Sequence, residues 1–195
     1  NAAPLSERNV VPRMGDRQQQ PARSRRVLQD DQNRSFGPTG PTWRAARGLT
    51  LNTSVSYLDA KIKELTTFDD EPATRGIRNT AGNPLPNSPK FTVNLGAEYG
   101  FDTSLGRFSL RGEMFRSASY NFRLFNNPID RQRAYSIFSA FVTYADPNDR
   151  FQMRAFVKNI GNTHYLDNLI YAQTTGVAGN YARPQEWGVS VSAKF

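Results

Sequence analysis

The side chains that most often carry enzyme chemistry are scarce in this sequence. His164 is the only histidine and there is no cysteine, so thiolate nucleophiles, disulfides and the usual zinc sites are not expected. Serines are plentiful, but a serine nucleophile needs a histidine base and an orienting third group, and no nucleophile-elbow glycine pattern is present. The sequence therefore predicts a protein that is not an enzyme and that has no cofactor and no metal.

One acidic group has ligand types suited to a cation. Asp69, Asp70 and Glu71 are consecutive, and carboxylate oxygens are the ligands that calcium prefers. They lie in a stretch rich in proline, glycine and asparagine, which is turn and loop chemistry. A solvated loop is the alternative to a cation site, and the sequence favours it.

The elements that must position any site are strands with two unlike faces. In the last nine residues apolar side chains alternate with small or charged ones, and successive side chains of a strand point to opposite sides. The apolar face of this closing strand carries Trp187, Val189, Val191, Ala193 and Phe195. A chain that ends on such a strand with an aromatic last residue resembles bacterial outer-membrane β-barrels. The resemblance implies that this strand closes a barrel and carries the assembly signal.

Five earlier segments alternate in the same way. They begin at Leu49, Phe91, Phe108, Ala134 and Phe151, which predicts about six strands in all. The charged residues that we assign to these strands all fall on the face opposite the apolar one: Glu98, Arg111, Glu113, Arg154, Lys158 and Lys194.

The connections between the strands alternate in length. Long connections over 59–89, 117–133 and 160–184 are predicted to be loops throughout, whereas 100–106 and 146–149 are short turns. Transmembrane barrels combine long extracellular loops with short periplasmic turns. The aromatic residues near the short turns would form a girdle at one membrane interface: Tyr99, Phe108, Tyr144, Phe151 and Phe195.

Composition agrees with strands that cross a membrane. Mean hydropathy is −0.64, and no run approaches the roughly 18 to 20 apolar residues that a spanning helix needs. A spanning strand needs only about 9 to 11 residues, half of which face a polar lumen. We therefore predict an all-β fold of antiparallel transmembrane barrel strands, with a soluble β-domain as the alternative.

The amino-terminal part has a different texture. Residues 1–42 are rich in arginine, proline and glutamine and show neither strand nor helix periodicity, so we predict that they are disordered or lie outside the barrel, which would comprise 43–195. Residues 1–47 hold nine arginines of a chain whose net charge is +8. A soluble β-domain with a basic nucleic-acid-binding arm is thus an alternative, but no aromatic residues alternate with these arginines. The chain begins with Asn1 and shows no secretory signal, so we expect a fragment.

Four segments carry a resemblance to a known family. Residues 47–61 (RGLTLNTSVSYLDAK), 89–99 (PKFTVNLGAEY), 157–165 (VKNIGNTHY) and 183–195 (RPQEWGVSVSAKF) resemble the carboxy-terminal strands of TonB-dependent outer-membrane receptors. The last two motifs are the most specific, and the resemblance covers residues 43–195.

The resemblance implies a barrel of about 22 strands with an amino-terminal plug, in the outer membrane of a Gram-negative bacterium. Such receptors import a siderophore, cobalamin or an oligosaccharide. The implied partners are outer-membrane lipid and lipopolysaccharide, the barrel-assembly machinery, and the TonB complex through a plug for which this chain has no room; nucleic acid is not among them. About six strands are too few to close a barrel. A small structural or passive barrel closed by oligomerisation is the alternative.

If the resemblance holds, the ligand-facing surface lies on the long loops, where cations and aromatic rings meet anionic or aromatic ligands. Solvated or headgroup-facing side chains are the alternative. The candidate residues are Arg75, Arg78, Tyr120, Phe122, Arg123, Arg131 and Tyr171.

Overall fold

A computed structural model describes residues 40–148, 150–172 and 176–194. The described residues form antiparallel β-structure with one short 3-10 turn, Pro128–Asp130, so the predicted all-β fold is confirmed. No helix in these ranges has the length and apolar character to cross a membrane. Most of the predicted first segment, residues 1–42, lies outside the described residues, and the predicted division at 42 and 43 stays a prediction.

Thirteen strands are present in the described ranges. In chain order they are β1 (Thr42–Ala46), β2 (Leu49–Tyr57), β3 (Thr66–Asp69), β4 (Gly76–Asn79), β5 (Phe91–Thr103), β6 (Gly106–Ser117), β7 (Tyr120–Asn121), β8 (Arg131–Gln132), β9 (Tyr135–Ala145), β10 (Phe151–Lys158), β11 (Leu166–Ala172), β12 (Gly176–Tyr181) and β13 (Glu186–Ala193).

Seven of these strands form one sheet in the order β1-β2-β5-β6-β9-β10-β13, with every pair antiparallel. The six predicted strands are all in it. The seventh, β1, was not predicted, because its sequence, TWRAA, is short and does not alternate.

The hairpin between β5 and β6 is tighter than predicted. We expected a turn over 100–106, yet the pairing continues through Phe101 and Phe108 to Thr103 and Gly106. Gly106 has φ of +136°, and a Cβ there would collide with the carbonyl oxygen of Ala145. A glycine at this position therefore lets the chain reverse directly beside the neighbouring strand.

The three long connections were predicted to be loops throughout, which is wrong. Each contains a two-stranded hairpin of its own: β3 with β4, β7 with β8, and β11 with β12. Two of these hairpins have strands of only two to four residues, too short to show a period. β11 is longer, but its sequence, LDNLIYA, ends in four consecutive hydrophobic residues and does not alternate.

The register gives the seven-stranded sheet two distinct faces. One row across the sheet defines what we call the apolar face: Trp43, Leu51, Ala97, Gly112, Ala140, Val157 and Trp187. The adjacent row defines the polar face: Thr50, Glu98, Arg111, Phe141, Phe156 and Gly188. The predicted segregation of strand charges has one exception: Arg116, which we had placed beyond the end of its strand, lies on the apolar face.

The apolar face is exposed. Trp187 is 79% exposed and Val189 62%, and only Phe122, Phe125 and Phe141 are buried among the large hydrophobic residues described. A soluble sheet of this size covers its apolar face with a second layer. No second layer covers this face within the described residues, which disfavours the soluble alternative and suits a face that meets lipid.

Candidate functional site

A charged network occupies the middle of the polar face. Arg111 donates from Nε to Oε1 of Glu113 at 2.6 Å, from Nη1 to Oε2 of Glu98 at 3.4 Å, and from Nη2 to Oδ1 of Asn52 at 3.3 Å. These partners come from three adjacent strands. The polar face is thus cross-linked by hydrogen bonds, as a barrel wall facing a polar lumen requires.

Aromatic rings on the same face are covered by cations. The Arg154 guanidinium lies 4.4 Å from the centroid of the Phe141 ring, and the Lys158 ammonium lies 5.0 Å from the Phe156 centroid. These side chains keep their charge on the polar face while their stems cover hydrocarbon. Phe141 is therefore only 5% exposed.

A cluster of tyrosines lies at the end of the polar face that joins the long loops. The Tyr135 and Tyr165 rings stack at 4.2 Å, and Phe115 packs 5.9 Å from Tyr135. Tyr120 packs edge-on against Phe122 at 5.3 Å, and its hydroxyl lies near that of Tyr135. We call Phe115, Tyr120, Phe122, Tyr135 and Tyr165 the tyrosine cluster.

The hydroxyls in the loop part of this cluster stay protonated. The pKa of Tyr120 is raised, mainly by burial. The interaction with the Tyr135 hydroxyl lowers this pKa and the nearby Asp167 raises it, but burial is the largest of the three effects. Burial raises the pKa of Tyr165 as well, again together with Asp167. The two phenols are therefore neutral hydrogen-bond donors and acceptors at physiological pH.

A polar pocket of about 320 Å³ adjoins Tyr120. Lys90 and Arg131 line it together with the hydroxyls of Ser88 and Ser119. Arg131 donates to Oγ of Ser119 at 3.2 Å, and Lys90 pairs with Asp59 at 3.1 Å. Because Lys90 is paired with Asp59 and the Ser88 hydroxyl donates to the carbonyl oxygen of Pro86, Arg131 and the Ser119 hydroxyl are the groups best placed to hold an anionic group.

The long loops are tied together at Asp69, which is fully buried. Its Oδ2 accepts from Oγ1 of Thr74 at 2.7 Å, from Nδ2 of Asn127 at 2.9 Å and from Nη1 of Arg78 at 3.1 Å. The solvated-loop prediction is therefore wrong for Asp69. Across residues 40–148, 150–172 and 176–194, no group of three or more histidine, aspartate or glutamate side chains is arranged to hold a metal.

Arg123 joins all three long loops. Its Nε donates to Oδ1 of Asp130 at 2.7 Å and its Nη1 to Oδ1 of Asp70 at 3.1 Å. Its guanidinium lies 4.8 Å from the centroid of the Tyr171 ring and 5.6 Å from that of Phe125. Hence the loops pack on one cation rather than extending separately.

The structure distributes the candidate ligand residues among three environments. The contacts that join the loops include Arg78, Arg123 and Tyr171. The tyrosine cluster and the adjoining pocket include Tyr120, Phe122 and Arg131. Arg75 is exposed. Sequence reasoning missed Phe115, Tyr135 and Tyr165. Tyr135 stands at the start of β9 and Tyr165 ends the VKNIGNTHY segment, but only the fold shows that their rings stack.

An aromatic row lies at the opposite, short-turn end of the sheet. Ring centroids follow one another at 5.8 Å, 5.7 Å, 5.0 Å and 6.4 Å through Tyr99, Phe101, Phe108, Tyr144 and Phe151. The Tyr144 hydroxyl donates to the carbonyl oxygen of Leu105 at 2.7 Å. Four of the five expected girdle residues thus lie together with Phe101, while Phe195 lies outside the described residues.

The closing strand, β13, pairs along its full length with β10. Trp187, Val189 and Val191 lie exposed on its apolar face, and Ala193 pairs with Phe151. Within the described ranges no strand pairs with its other edge. An edge of this kind must be paired in a membrane, because lipid offers backbone groups no hydrogen bonds.

Residues 27–160 match the family described as TonB dependent receptor-like, beta-barrel. A comparison of the sequence with curated proteins found no match.

Several solved structures share the fold. The ferric yersiniabactin uptake receptor FyuA from Yersinia pestis has a TM-score of 0.61 at 16% identity, over 79% of this chain and 22% of the receptor. BauA, the ferric preacinetobactin receptor from Acinetobacter baumannii, has a TM-score of 0.58 at 19% identity, over 77% of this chain and 20% of that one. The siderophore receptor PiuA from Acinetobacter baumannii gives 0.60 at 14% identity, with 77% and 20% covered. The chain therefore spans about a fifth of the length of these receptors.

Proposed function

Because the chain belongs to the TonB-dependent receptor β-barrel family, whose members are transport receptors rather than enzymes, we propose that it forms the carboxy-terminal wall of an outer-membrane siderophore receptor. The whole receptor would contain the remaining barrel strands and a plug, and the TonB complex would act through that plug. Its location would be the outer membrane of a Gram-negative bacterium. The exposed apolar face and the cross-linked polar face support this placement.

The observation that carries the substrate proposal is the tyrosine cluster beside the polar pocket. Ferric siderophore complexes present rings and oxygen-rich, commonly anionic groups on one surface. Stacked phenols bind rings and donate hydrogen bonds, while Arg131 supplies positive charge. The three receptors compared above bear names of siderophore systems, which favours this class over cobalamin or an oligosaccharide.

The closing strand would carry the signal for the barrel-assembly machinery. In the sequence its apolar face comprises Trp187, Val189, Val191, Ala193 and Phe195. We propose that this face, together with the edge of β13 that no described strand pairs with, is recognised before the barrel closes. Phe195 would complete the aromatic girdle together with Tyr99, Phe108, Tyr144 and Phe151. Closure then pairs β13 with a strand from outside this chain.

The experiment uses the full-length receptor in detergent, titrated with a panel of ferric siderophores, cobalamin and oligosaccharides. We expect one ferric siderophore to bind, and we expect Tyr135→Ala and Arg131→Ala each to raise its Kd about tenfold, which corresponds to about 1.4 kcal/mol. Arg107→Ala is the matched control, because Arg107 lies on the polar face at the opposite end and should leave Kd unchanged.

Two results would contradict the proposal. Binding of cobalamin or an oligosaccharide alone would overturn the siderophore class, and an upstream coding sequence with neither a plug nor further alternating strands would overturn the receptor. A discrete heat-modifiable oligomer of the 195-residue chain alone would instead support a small passive barrel.

A further inference from the structure

A groove of about 770 Å³ crosses the apolar face. Ala97, Gly112 and Ala140 lie side by side on three neighbouring strands and form its floor. Larger side chains surround them: Trp43, Leu51, Leu95, Met114, Phe138 and Ile160. A Cβ added at Gly112 would meet no atom of the described residues within 4 Å, so no described side chain fills the floor.

Arg116 lies beside this groove on the same face. It follows Met114 by two residues on β6 and pairs across the sheet with Val93 and Ser136. Its guanidinium is exposed and donates from Nη1 to Oγ of Ser136 at 3.0 Å. In the described part of the chain no carboxylate forms a salt bridge with it.

The position of Arg116 matches the edge of the hydrocarbon layer. It lies eight residues after Phe108, a member of the aromatic row, which is about 27 Å along the strand at about 3.4 Å per residue. The apolar band of a membrane barrel is about 25 Å tall, and strands cross it at a tilt. At a tilt of about 35–45° this length covers only about 19–22 Å of the band's height. The backbone of Arg116 therefore lies a few ångström inside the second interface, and its long side chain extends toward the phosphate headgroups there.

We propose that the groove and Arg116 together bind one lipid A molecule of the outer leaflet, an inference that rests on the proposed outer-membrane placement. The guanidinium donates hydrogen bonds to a lipid A phosphate, and the Ser136 hydroxyl is a second donor to it. One acyl chain lies over Ala97, Gly112 and Ala140. The outer leaflet is assigned because Arg116 stands at the long-loop end of β6, which faces the cell exterior in such barrels. The lone cation and the apolar floor complement the two parts of this one lipid.

The groove floor explains why the site differs from a generic lipid-facing wall. Apolar strand positions in a membrane barrel normally carry side chains that fill the space beside the sheet. Here three small residues in register leave a depression on the face that carries Arg116, which follows Gly112 by four residues on β6. Arg116 is the only charge that the described strands place on this face. An acyl chain held there contacts side chains on its sides as well as beneath it, which a flat wall does not allow.

The test measures lipid retained by the full-length receptor. The receptor is purified from outer membranes in a mild non-ionic detergent, and native mass spectrometry counts bound lipid A. We expect the wild-type protein to retain one lipid A, and Arg116→Gln and Gly112→Leu each to retain at least about tenfold less. The first change removes the phosphate partner and the second fills the groove.

Matched controls separate the site from general effects on the barrel. Arg107→Gln removes an exposed arginine at the other end of β6, and Ala155→Leu enlarges a small residue on the apolar face outside the groove, between Val142 and Val189. Both should retain lipid A like the wild type. Equal loss in the controls, retention in both test variants, absence of lipid A from the wild type, or retention of phosphatidylglycerol instead would overturn the inference.

Heat-modifiable migration and siderophore binding are measured on the same preparations. A folded receptor that binds its siderophore but no lipid A contradicts this inference alone. A protein that fails to fold into membranes contradicts the proposed function as well. A dimer that covers the groove in the absence of lipid A also overturns the lipid assignment.

Discussion

Arg123 donates from Nε to Oδ1 of Asp130 at 2.7 Å, and the Asp130 side chain is fully buried. The same guanidinium reaches Asp70, 53 residues earlier in the sequence, and covers the Tyr171 ring. Among the described residues, Nη2 of Arg123 and Oδ2 of Asp130 have no hydrogen-bond partner although both atoms are buried. The loops above the sheet therefore form one packed unit with a charged centre.

Removing one member of this ion pair should loosen the loops. Asp130→Asn takes away the charge opposite Arg123, so we expect the free energy of opening the loops to fall by about 2 kcal/mol. The loss is no larger because Asp70 still pairs with the guanidinium. Hydrogen exchange of residues 120–132 should then be faster by roughly thirtyfold. Asp102→Asn, at an exposed carboxylate of the short-turn end, is the control and should change nothing. Unaltered protection in Asp130→Asn would show that the pair does not hold the loops.

The loop junction should also weaken in acid because of Asp69. Burial disfavours its charged form, but hydrogen bonds from Asn127, Thr74, the Glu71 amide and Arg78 outweigh burial and lower the pKa of Asp69. A group with a depressed pKa stabilises the fold above the pKa of the unfolded chain, about 3.9, and this stability is lost as the pH falls through the folded value below it.

We therefore expect proteolysis of the loop 58–90 to be constant from neutral pH down to about pH 4 and to accelerate below it. Asp69→Asn should be cleaved faster at neutral pH and should show a smaller acceleration in acid. An identical acid profile in the variant would mean that another group governs the junction.

The tight turn between β5 and β6 should not tolerate a side chain at Gly106. Gly106→Ala forces φ of +136° on a residue with a Cβ and pushes that atom against the carbonyl oxygen of Ala145, so we expect a loss of about 2 kcal/mol. The folded fraction, measured as the heat-modifiable band after refolding in detergent, should fall. The added methyl of Gly112→Ala, on the same strand, meets no atom of the described part of the chain within 4 Å, so this variant should refold like the wild type. If the two variants behave alike, local strain at Gly106 is not the cause.

The sheet could be predicted from the sequence because its signal is local. Val93, Leu95 and Ala97 alternate with polar residues along one strand, and a period of two is visible without knowing the neighbouring strand. The aromatic row was predictable for the same reason, since Phe108 and Tyr144 stand beside short turns. Phe101 was missed because Gly100 and Asp102 suggested that the strand had ended.

The candidate site could be predicted only in part, because its contacts join distant segments. Arg78 donates a hydrogen bond to Asn127, 49 residues away. Tyr135 stacks on Tyr165, although the rest of β9, a short turn and β10 separate them in the sequence. Nothing in the local pattern of 59–89 or 160–184 shows that they hold hairpins that bring these residues together. Residue type indicated which arginines and aromatics matter, but not which of them pair with acids and which face a ligand.

Site-directed spin labelling of β5 tests the central claim most directly, because it asks which medium each face of the sheet meets. Single cysteines at Val93, Leu95 and Ala97 report on the apolar face, and those at Thr92 and Asn94 report on the polar face; the chain has no cysteine of its own. In the full-length receptor reconstituted in bilayers, labels at the three apolar positions should collide readily with oxygen and rarely with a water-soluble nickel complex, and those at the two polar positions should not share this lipid signature. If the apolar positions are instead shielded from both reagents, or open to the nickel complex, the face does not meet lipid and the account of a membrane barrel is wrong.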